Sequence, residues 1–235
     1  MDRIEGDVTQ PVIVLRPEPG QTATLVAAHE AGLRSFGMPL CAVESVAWTA
    51  PPRTYDGFLI GSANALRYAG EELAKVAHLP ALCVGAATAE AARHAGLRVE
   101  RVGQGGLQSL LDGLEGETRT LLRLAGETHL PLMPPPGIAV ELVVTYRAEY
   151  HRLTRPQARF LANGGTVLLH SGEMAAHFGT QCDAQGIERT LISCAALAPR
   201  IAEKAGPGWR EVAVAHTPND TALLAVAKRL CDKRP

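Results

Sequence analysis

The stretch "ALCVGAATAEAARHAG" (residues 81–96) has the composition of a short buried strand, a tight turn and a helix. A helix that begins just after a strand presents free backbone N–H groups and a partial positive charge, so this turn could bind an anion. The G-x-G-x-x-G fingerprint of dinucleotide-binding folds is absent, because Gly85 is followed by Ala86, Ala87 and Thr88. The missing close-approach glycines argue against a pyrophosphate pressed against the backbone, whereas larger, more diffuse anions such as carboxylates fit the turn.

Two other strand-to-helix turns have a comparable pattern. Ser62, Ala63 and Asn64 follow the apolar run "DGFLI", and Ser171 with Gly172 follows "GTVLLH". Ligands of open α/β sheets bind outside the carboxyl ends of the strands, where such turns lie. We therefore expect these residues to contact a ligand, together with Gly85, Ala86, Ala87 and Thr88. For Thr88 a second interpretation stays open, since threonine is also a good helix N-cap.

The composition excludes several classes of protein. The formal net charge is −1 and no basic run occurs, which argues against a nucleic-acid partner. No apolar run approaches the roughly 20 residues of a membrane span. The polar start "MDRIEGDVTQ" is unlike a signal peptide, and the five cysteines are scattered and odd in number. These features predict a cytoplasmic protein without a disulfide framework.

The histidines show no metal-ligand spacing, and the nucleophile elbow G-x-S-x-G is absent. We therefore expect neither a metal centre nor a hydrolase of the nucleophile-elbow type. No pair of residues in the sequence stands out as a general acid and base.

Short apolar runs alternate with longer amphipathic segments along the chain, which predicts an α/β fold with parallel sheets covered on both faces. The predicted strands are, in order, "PVIVL", "DGFLI", "ALCVG", "LRVERVG", "RTLLRLAG", "GTVLLHSG", "TLISC" and "REVAVAHT". Two longer, more alternating segments interrupt this rhythm, at residues 38–50 and 138–153. Each is expected to be an extended segment that passes between domains.

An internal repeat supports two domains. "DGFLIGSANAL" resembles "GTVLLHSGEMA", "LCVGAATAEAARHAG" resembles "ISCAALAPRIAEKAG", and a third pair follows in the same order. Ser62 thereby matches Ser171, and Gly96 matches Gly206, at a nearly constant offset. Three matches in order indicate two similar α/β domains, and the offset is far too long for a solenoid repeat.

At this point the sequence resembles the uroporphyrinogen-III synthase family over nearly its whole length. The resemblance rests on "VIVLRPEPG", "YDGFLIGSANAL", "LCVGAATAEAARHAGL", "VVTYRAEY" and "TVLLHSGEMAAHF", in this order and spacing. It implies two Rossmann- or flavodoxin-like parallel-sheet domains, joined by a two-stranded linker, with the second domain inserted into the first. The first domain is then expected at residues 1–37 and 149–235, and the inserted domain with the linker strands at 38–148.

The resemblance also implies a reaction. The family cyclises hydroxymethylbilane to uroporphyrinogen III in heme biosynthesis, with loss of water and inversion of ring D through a spiro intermediate. No metal or organic cofactor is used, so none is expected. Since the hydroxyl leaves readily and unassisted closure gives the uninverted isomer, the main task of such an enzyme is orientation of the chain. Modest acid assistance to the leaving hydroxyl would add to this.

The resemblance gives roles to individual residues. Tyr146, in "VVTYRAEY", matches the family's candidate acid, although a tyrosine that only packs on a linker strand explains it equally well. The Gly85–Thr88 turn matches a site for substrate carboxylates. Gly126 matches a glycine that ends a strand. Arg16, in "LRPEPG", matches a common basic position and could hold a carboxylate bidentately, or it could be an exposed loop arginine.

Two segments depart from the family pattern. Leu197 and Ala198 stand where threonines are usual, which leaves only backbone donors at that turn, and Pro199 fits a first helical turn. Pro134, Pro135 and Pro136 follow the Gly126 strand where a helix is common, and proline cannot continue a helix. We expect this connection to be shortened or remodelled.

Two other functions stay open at this level. A cytoplasmic two-domain protein that binds or senses a small anionic ligand would have a similar architecture, and a degenerate nucleotide-binding enzyme is disfavoured by the missing glycines. As partners we expect the substrate hydroxymethylbilane and a transient contact with hydroxymethylbilane synthase, but neither nucleic acid nor a membrane. We expect the chain to be a monomer.

Overall fold

The computed structural model describes residues 10–232, and the chain divides into two compact units. The split unit consists of the chain up to Ala42 and the chain from Tyr150 onward, and the inserted unit is Val43–Glu149. The predicted α/β class is confirmed, since each unit contains a mainly parallel sheet with helices on both faces. The domain boundaries at residues 37/38 and 148/149 stay a prediction.

Most strands coincide with apolar runs of the sequence, and the central strands are fully buried, as expected for strands covered on both faces. In the described chain they are β1 (Val12–Val14), β2 (Ser35–Gly37), β3 (Cys41–Ser45), β4 (Gly57–Ile60), β5 (Ala81–Cys83), β6 (Val99–Val102), β7 (Arg119–Gly126), β8 (Ile138–Tyr150), β9 (Gly165–Leu169), β10 (Ile192–Ala196) and β11 (Glu211–Val214).

The helices follow the amphipathic segments. They are α1 (Gly20–Glu30), α2 (Ala63–Arg67), α3 (Glu72–Val76), α4 (Ala86–His94), α5 (Leu107–Asp112), α6 (Arg155–Leu161), α7 (Gly172–Ala184), α8 (Pro199–Ala205) and α9 (Asp220–Asp232), with a 3₁₀ turn at Arg189–Leu191.

The split unit has a five-stranded sheet in the order β11-β10-β9-β1-β2, in which the paired strands run parallel. Ala28 of α1 and Leu223 of α9 belong to the core on one face. Leu161 of α6, Phe178 of α7 and Ile201 of α8 belong to the core on the other face. Helices therefore cover both faces of the sheet, which explains why its central strands β1, β9 and β10 are continuous apolar runs.

The inserted unit has a six-stranded sheet in the order β3-β8-β7-β4-β5-β6, and the pairs from β4 to β8 are parallel. One face packs against α2, α3 and α4, for example through Leu66, Val76 and Ala92. The other face packs against α5 through Leu110 and Leu111.

The edge pair β3–β8 is antiparallel. The N–H of Val46 donates to the carbonyl of Thr145 at 2.9 Å, and the N–H of His151 donates to the carbonyl of Leu40 at 2.8 Å. Numbers rise along one strand as they fall along the other, which only an antiparallel pair allows. The extended segment predicted near residues 138–150 is confirmed as one continuous strand, whereas the strand within residues 38–50 covers only β3.

The sequence repeat is confirmed for three strands of each sheet. β4, β5 and β6 have the same places in their sheet as β9, β10 and β11 in theirs, and Gly96 and Gly206 both have positive φ, 79° and 71°, at a helix end. The next two places belong to β7 and β8 in one unit but to β1 and β2 in the other, so the units are circularly permuted, and β3 adds a sixth strand to the inserted unit. The strand order therefore reverses between β4 and β7 and between β9 and β1, the points where open α/β sheets bind ligands.

One local expectation is wrong, two elements were not predicted, and one remodelled connection agrees with the prediction. The segment "ANALRYAGEELAKVA" has the amphipathic composition of a single helix, but it forms two short helices because the chain turns at Gly70 with φ 64°. β2 and α6 have no counterpart among the predicted elements. The connection after β7 is remodelled as predicted, since residues 127–137 contain no helix.

The remodelled connection is tied to the sheet and to α5 by polar side chains. Arg123 Nη2 donates to the carbonyl of Leu130 at 2.9 Å, and Gln108 exchanges two hydrogen bonds with the backbone of Met133. A proline-rich segment thus stands where a covering helix was expected. Beneath it, Arg123 is buried, and its Nε has no hydrogen-bond partner in the described chain.

Candidate functional site

The turn after β5 presents free backbone donors. Gly85 precedes α4 with an extended backbone (φ −172°, ψ 175°), and no side chain caps the helix. The first helical hydrogen bond of α4 is donated by Ala89 to Gly85, so the N–H groups of Ala86, Ala87 and Thr88 have no acceptor in the described chain. These donors lie at the positive end of the helix dipole, which suits a carboxylate.

Thr88 does not cap the helix at this turn, and Gly85 is not required by the backbone. Thr88 is the third helical residue and is 6% exposed, so the alternative that it caps α4 is wrong. The backbone of Gly85 is one that any residue adopts, and a Cβ there would meet nothing within 4 Å. The fold therefore does not require glycine at this position. Its missing side chain leaves open space beside the free donors.

The turn after β4 is capped. Ser62 is extended (φ −154°, ψ 140°), and its Oγ accepts a hydrogen bond from the N–H of Asn64 at 3.2 Å. The side chain of Asn64 accepts from Arg67, and the N–H of Ala63 has no acceptor in the described chain. The N–H of Ala63 therefore remains available at this turn.

Tyr146 and Gly126 lie side by side on β8 and β7. They are paired across a β-bulge, since Ala125 faces Val144 and Gly126 faces Tyr146. A Cβ on Gly126 would lie 2.7 Å from Cζ and 3.0 Å from the hydroxyl oxygen of Tyr146, so the ring covers the glycine. The bulge residue Thr145 is fully buried and donates to the carbonyl of Ala65 in α2 at 2.9 Å.

The hydroxyl of Tyr146 has no hydrogen-bond partner within residues 10–232. Its ring packs against the core under α2 and α4 and lies 6.3 Å from the ring of Tyr68. The hydroxyl of this packed ring is therefore free to donate or accept a further hydrogen bond.

The inserted unit thus brings several predicted residues to one edge of its sheet. Ser62 follows β4, Gly85 follows β5, and Gly126 ends β7 with Tyr146 beside it. This edge contains the point where the strand order reverses. A groove between α2 and α4, lined in part by Leu66, Ala87 and Ala91, extends from it.

The split unit contains the other predicted residues. The Oγ of Ser171 accepts from the N–H of Met174 at 3.2 Å and caps α7, whose first residue is Gly172. At the next turn, α8 begins at Pro199 after the extended residue Ala198 with no side-chain cap, as predicted.

Arg16 is not an exposed loop arginine. Its Nη1 donates to the carboxylate of Asp220 at 3.2 Å and to the hydroxyl of Thr24 at 3.3 Å, and Nε2 of His170 lies 3.4 Å from Asp220. Contact with His170, then with Thr24, and the charge of Arg16 lower the pKa of Asp220 to about 2. Burial lowers the pKa of His170, so this ring is neutral near neutral pH.

Sequence reasoning missed Thr24, His170 and Asp220. Asp220 follows Asn219, whose side chain accepts from the N–H of Ala222 at 2.9 Å and caps α9. In the sequence an Asn-Asp pair before an apolar segment therefore has a sufficient explanation as a helix start. The one sign of this cluster in the sequence was that His170 directly follows a predicted strand, where ligand-binding residues of such sheets lie.

Within the described residues, no three His, Cys, Asp or Glu side chains are grouped as metal ligands. In the same part of the chain, no helix has the length and apolar character needed to cross a membrane.

The comparison with known families is decisive. The sequence model of the family described as "Uroporphyrinogen-III synthase HemD" matches residues 23–225. The chain belongs to the uroporphyrinogen-III synthase family. The predicted family and enzyme activity are thereby confirmed, and the activity is the closure of hydroxymethylbilane to uroporphyrinogen III in heme biosynthesis.

Solved structures of uroporphyrinogen-III synthases share the fold. The enzyme from Helicobacter pylori 26695 has a TM-score of 0.64 at 14% identity, covering 94% of this chain and 99% of that one. A mutant enzyme from the extremely thermophilic bacterium Thermus thermophilus has a TM-score of 0.57 at 18% identity, covering 96% and 100%. No curated protein sequence matches the chain significantly.

The two serine caps lead to a prediction about stability. We expect Ser171→Ala to lower the free energy of unfolding by about 1 kcal/mol, because α7 loses its N-cap, and Ser62→Ala to lower it by less at the short α2. Both variants should keep most of their activity, since the backbone donors remain. Denaturant unfolding and initial rates measure the two effects. Ser171→Thr, which keeps a capping hydroxyl, is the control, and a loss of activity without a loss of stability would contradict the expectation.

Proposed function

We propose that this chain carries out the family reaction mainly by orienting the linear substrate, with acid assistance from Tyr146. The carrying observation is the unpartnered phenol of Tyr146, fixed over Gly126 at the sheet edge that also holds the Gly85–Thr88 turn. Unassisted closure gives the uninverted isomer, so holding the correct carbon near the reaction centre is the larger contribution.

The Gly85–Thr88 turn is proposed to bind substrate carboxylates through the N–H groups of Ala86, Ala87 and Thr88. The chain has a formal net charge of −1, so no overall positive field attracts a polycarboxylate. Local donors must supply the affinity instead, and an uncapped helix start provides several in one place. The exposed small side chains of Ala86 and Ala87 let a ligand approach the backbone.

The remaining predicted residues are proposed to add weaker contacts. Ser62, Ala63 and Asn64 offer the free N–H of Ala63, at the same sheet edge as Tyr146. Ser171 and Gly172 offer the equivalent turn of the split unit, and Arg16 offers a guanidinium. Gly126 acts through Tyr146, because it leaves the space in which the ring lies.

Tyr146 is proposed to donate a hydrogen bond to the leaving hydroxyl of hydroxymethylbilane. A phenol stays protonated at neutral pH and needs no neighbouring base to do this. The hydroxyl then leaves as water, taking up a proton through this hydrogen bond, as the pyrrole nitrogen supplies its electron pair. The freed methylene carbon is proposed to bond to the substituted carbon of ring D, which gives the spiro intermediate. The bond from that carbon to the ring C bridge then breaks and re-forms at the free carbon of ring D, which loses the balancing proton.

We also propose that the chain acts as a cytoplasmic monomer and receives its substrate in transient contacts with hydroxymethylbilane synthase. The support is chemical, since hydroxymethylbilane closes unassisted to the uninverted isomer. Fast transfer therefore protects the product's isomeric purity. The decisive test of the function is an assay coupled to that synthase with the isomers separated, in which absence of uroporphyrinogen III would refute it.

The backbone-donor proposal is tested by Ala86→Pro. Ala86 is the first residue of α4 and follows an extended residue, a position that proline tolerates, and Pro199 occupies the first position of α8 naturally. The change removes one N–H that has no acceptor in the described chain. We expect KM for hydroxymethylbilane to rise about 10-fold, the usual size for loss of one hydrogen bond to a charged group.

Ala86→Gly is the matched control for this change, because it removes the side chain but keeps the N–H. Circular dichroism should show both variants folded. If Ala86→Pro binds the substrate as well as the wild type does, the donors of α4 do not bind it.

A further inference from the structure

Four polar side chains meet at the reversal point of the split unit's sheet. Arg16 directly follows the run that forms β1, His170 directly follows β9, Asp220 is the first residue of α9, and Thr24 lies in α1. Three separate connections therefore supply one cluster, at the place where ligands of such sheets bind. Within it, only Arg16 was predicted as a substrate contact.

Asp220 is the centre of this cluster. Its Oδ2 accepts from Thr24 Oγ1 at 2.7 Å and from Arg16 Nη1 at 3.2 Å, while Oδ1 lies 3.4 Å from both Nη1 of Arg16 and Nε2 of His170. The side chain of His170 is 9% exposed and makes no well-aligned hydrogen bond at either ring nitrogen. It shields one side of the carboxylate from water, so the Asp220–Arg16 attraction is screened less than at an open surface.

Within the described chain, the side-chain hydrogen bonds of Arg16 all come from one nitrogen of its guanidinium. Thr24 and Asp220 engage Nη1 alone, whereas Nε and Nη2 have no acceptor within residues 10–232. The Nε–Nη2 edge is a planar pair of donors whose spacing matches the two oxygens of a carboxylate. Its direction is fixed as long as Nη1 is held.

The guanidinium of Arg16 lies directly against Gly20. A Cβ at this position would lie 2.3 Å from Nε, 2.5 Å from Cζ and 2.6 Å from Nη2 of Arg16. The guanidinium therefore rests on the backbone of the first residue of α1, and a side chain there would displace it. Gly20 has no positive φ, so alanine fits the backbone itself.

We propose that Asp220, together with Thr24, is a positioning residue that presents the Nε–Nη2 edge of Arg16 to a carboxylate of the substrate. This inference rests on the proposed function. A flexible arginine would lose side-chain freedom when it binds, whereas an arginine held by Asp220 has lost that freedom during folding. Asp220 therefore strengthens substrate binding even though it carries the same sign of charge as the ligand.

The sign of the effect separates this inference from simple electrostatics. Asp220→Asn keeps the size of the side chain and makes the cluster more positive by one charge. If only the charge mattered, a polycarboxylate would bind the variant more tightly. Positioning predicts the opposite, a KM for hydroxymethylbilane raised about 10-fold with kcat changed little, as expected when one charge-assisted contact weakens.

Gly20→Ala tests the same geometry without changing any charge. Its Cβ displaces the guanidinium, so KM should rise to a similar extent, and the double variant should be little worse than either single one. Asp183→Asn is the matched control, since Asp183 is paired with Arg189 at 2.6 Å elsewhere in the same unit, and its KM should equal that of the wild type. Circular dichroism and thermal unfolding confirm that each variant is folded.

The outcomes are distinct. A raised KM with preserved kcat in both Asp220→Asn and Gly20→Ala supports the inference. An unchanged or lowered KM in either folded variant, with an active wild type, overturns the inference and leaves the proposed function intact. A wild type that yields no uroporphyrinogen III overturns both.

Discussion

Replacing Tyr146 by phenylalanine is expected to lower turnover about 10²-fold while the fold is kept. The change deletes a hydroxyl that has no partner in the described chain, and the ring still fills the space above Gly126. The change therefore slows departure of the substrate's hydroxyl and does not lower the stability of the protein. Single-turnover kinetics in the coupled assay measure the loss, and the share of the uninverted isomer should rise because spontaneous closure competes.

Tyr150→Phe is the matched control for Tyr146→Phe. Tyr150 ends the same strand, β8, and its ring packs against His177 at 5.0 Å in the split unit. The same hydroxyl deletion at this position should leave turnover unchanged. If Tyr146→Phe shows wild-type single-turnover rates, Tyr146 is a packing residue and the acid must be sought elsewhere.

Replacing Gly126 by alanine is expected to reduce turnover by a comparable factor, through displacement of the Tyr146 ring. The new Cβ would lie 2.7 Å from Cζ and 2.8 Å from Cε2, closer than such atoms approach in proteins, and 3.0 Å from the hydroxyl oxygen. Overpacking of this kind costs about 1–3 kcal/mol of stability, part of which is relieved as the ring moves. Turnover and the thermal unfolding midpoint should therefore both fall.

A double-mutant cycle shows whether the loss goes through the ring. Gly126→Ala in the Tyr146→Phe background should cost little further activity, because the hydroxyl that it misplaces is already absent. Gly113→Ala is the control for the substitution itself, since its backbone is helical (φ −68°) and its Cβ would approach nothing closer than 3.5 Å. Additive losses in the cycle would show that Gly126 acts independently of Tyr146.

The local structure was readable from the sequence because it depends on near neighbours in the chain. "GTVLLHSG" predicts a strand and a turn from its apolar run and its glycine, and β9 with the capped start of α7 is what forms. The start of α8 at Pro199 and the missing helix at residues 134–136 were also predictable, since proline fits a first helical turn but not a helix interior. The break at Gly70 was missed, because a glycine within a helical pattern is compatible with either outcome.

The sequence by itself determined the α/β class, the repeat and the turns that bear donors, since hydrophobic periodicity and backbone preference act over a few residues. Tertiary structure alone decided which of these residues meet. It placed Gly126 beneath Tyr146 through a bulge, and it joined Arg16 to Asp220 across 204 positions of the chain. It also buried Thr88 and left the start of α4 uncapped. Such contacts depend on strand order and register, which are set by packing of the whole sheet and leave no mark at the spacing of neighbouring residues.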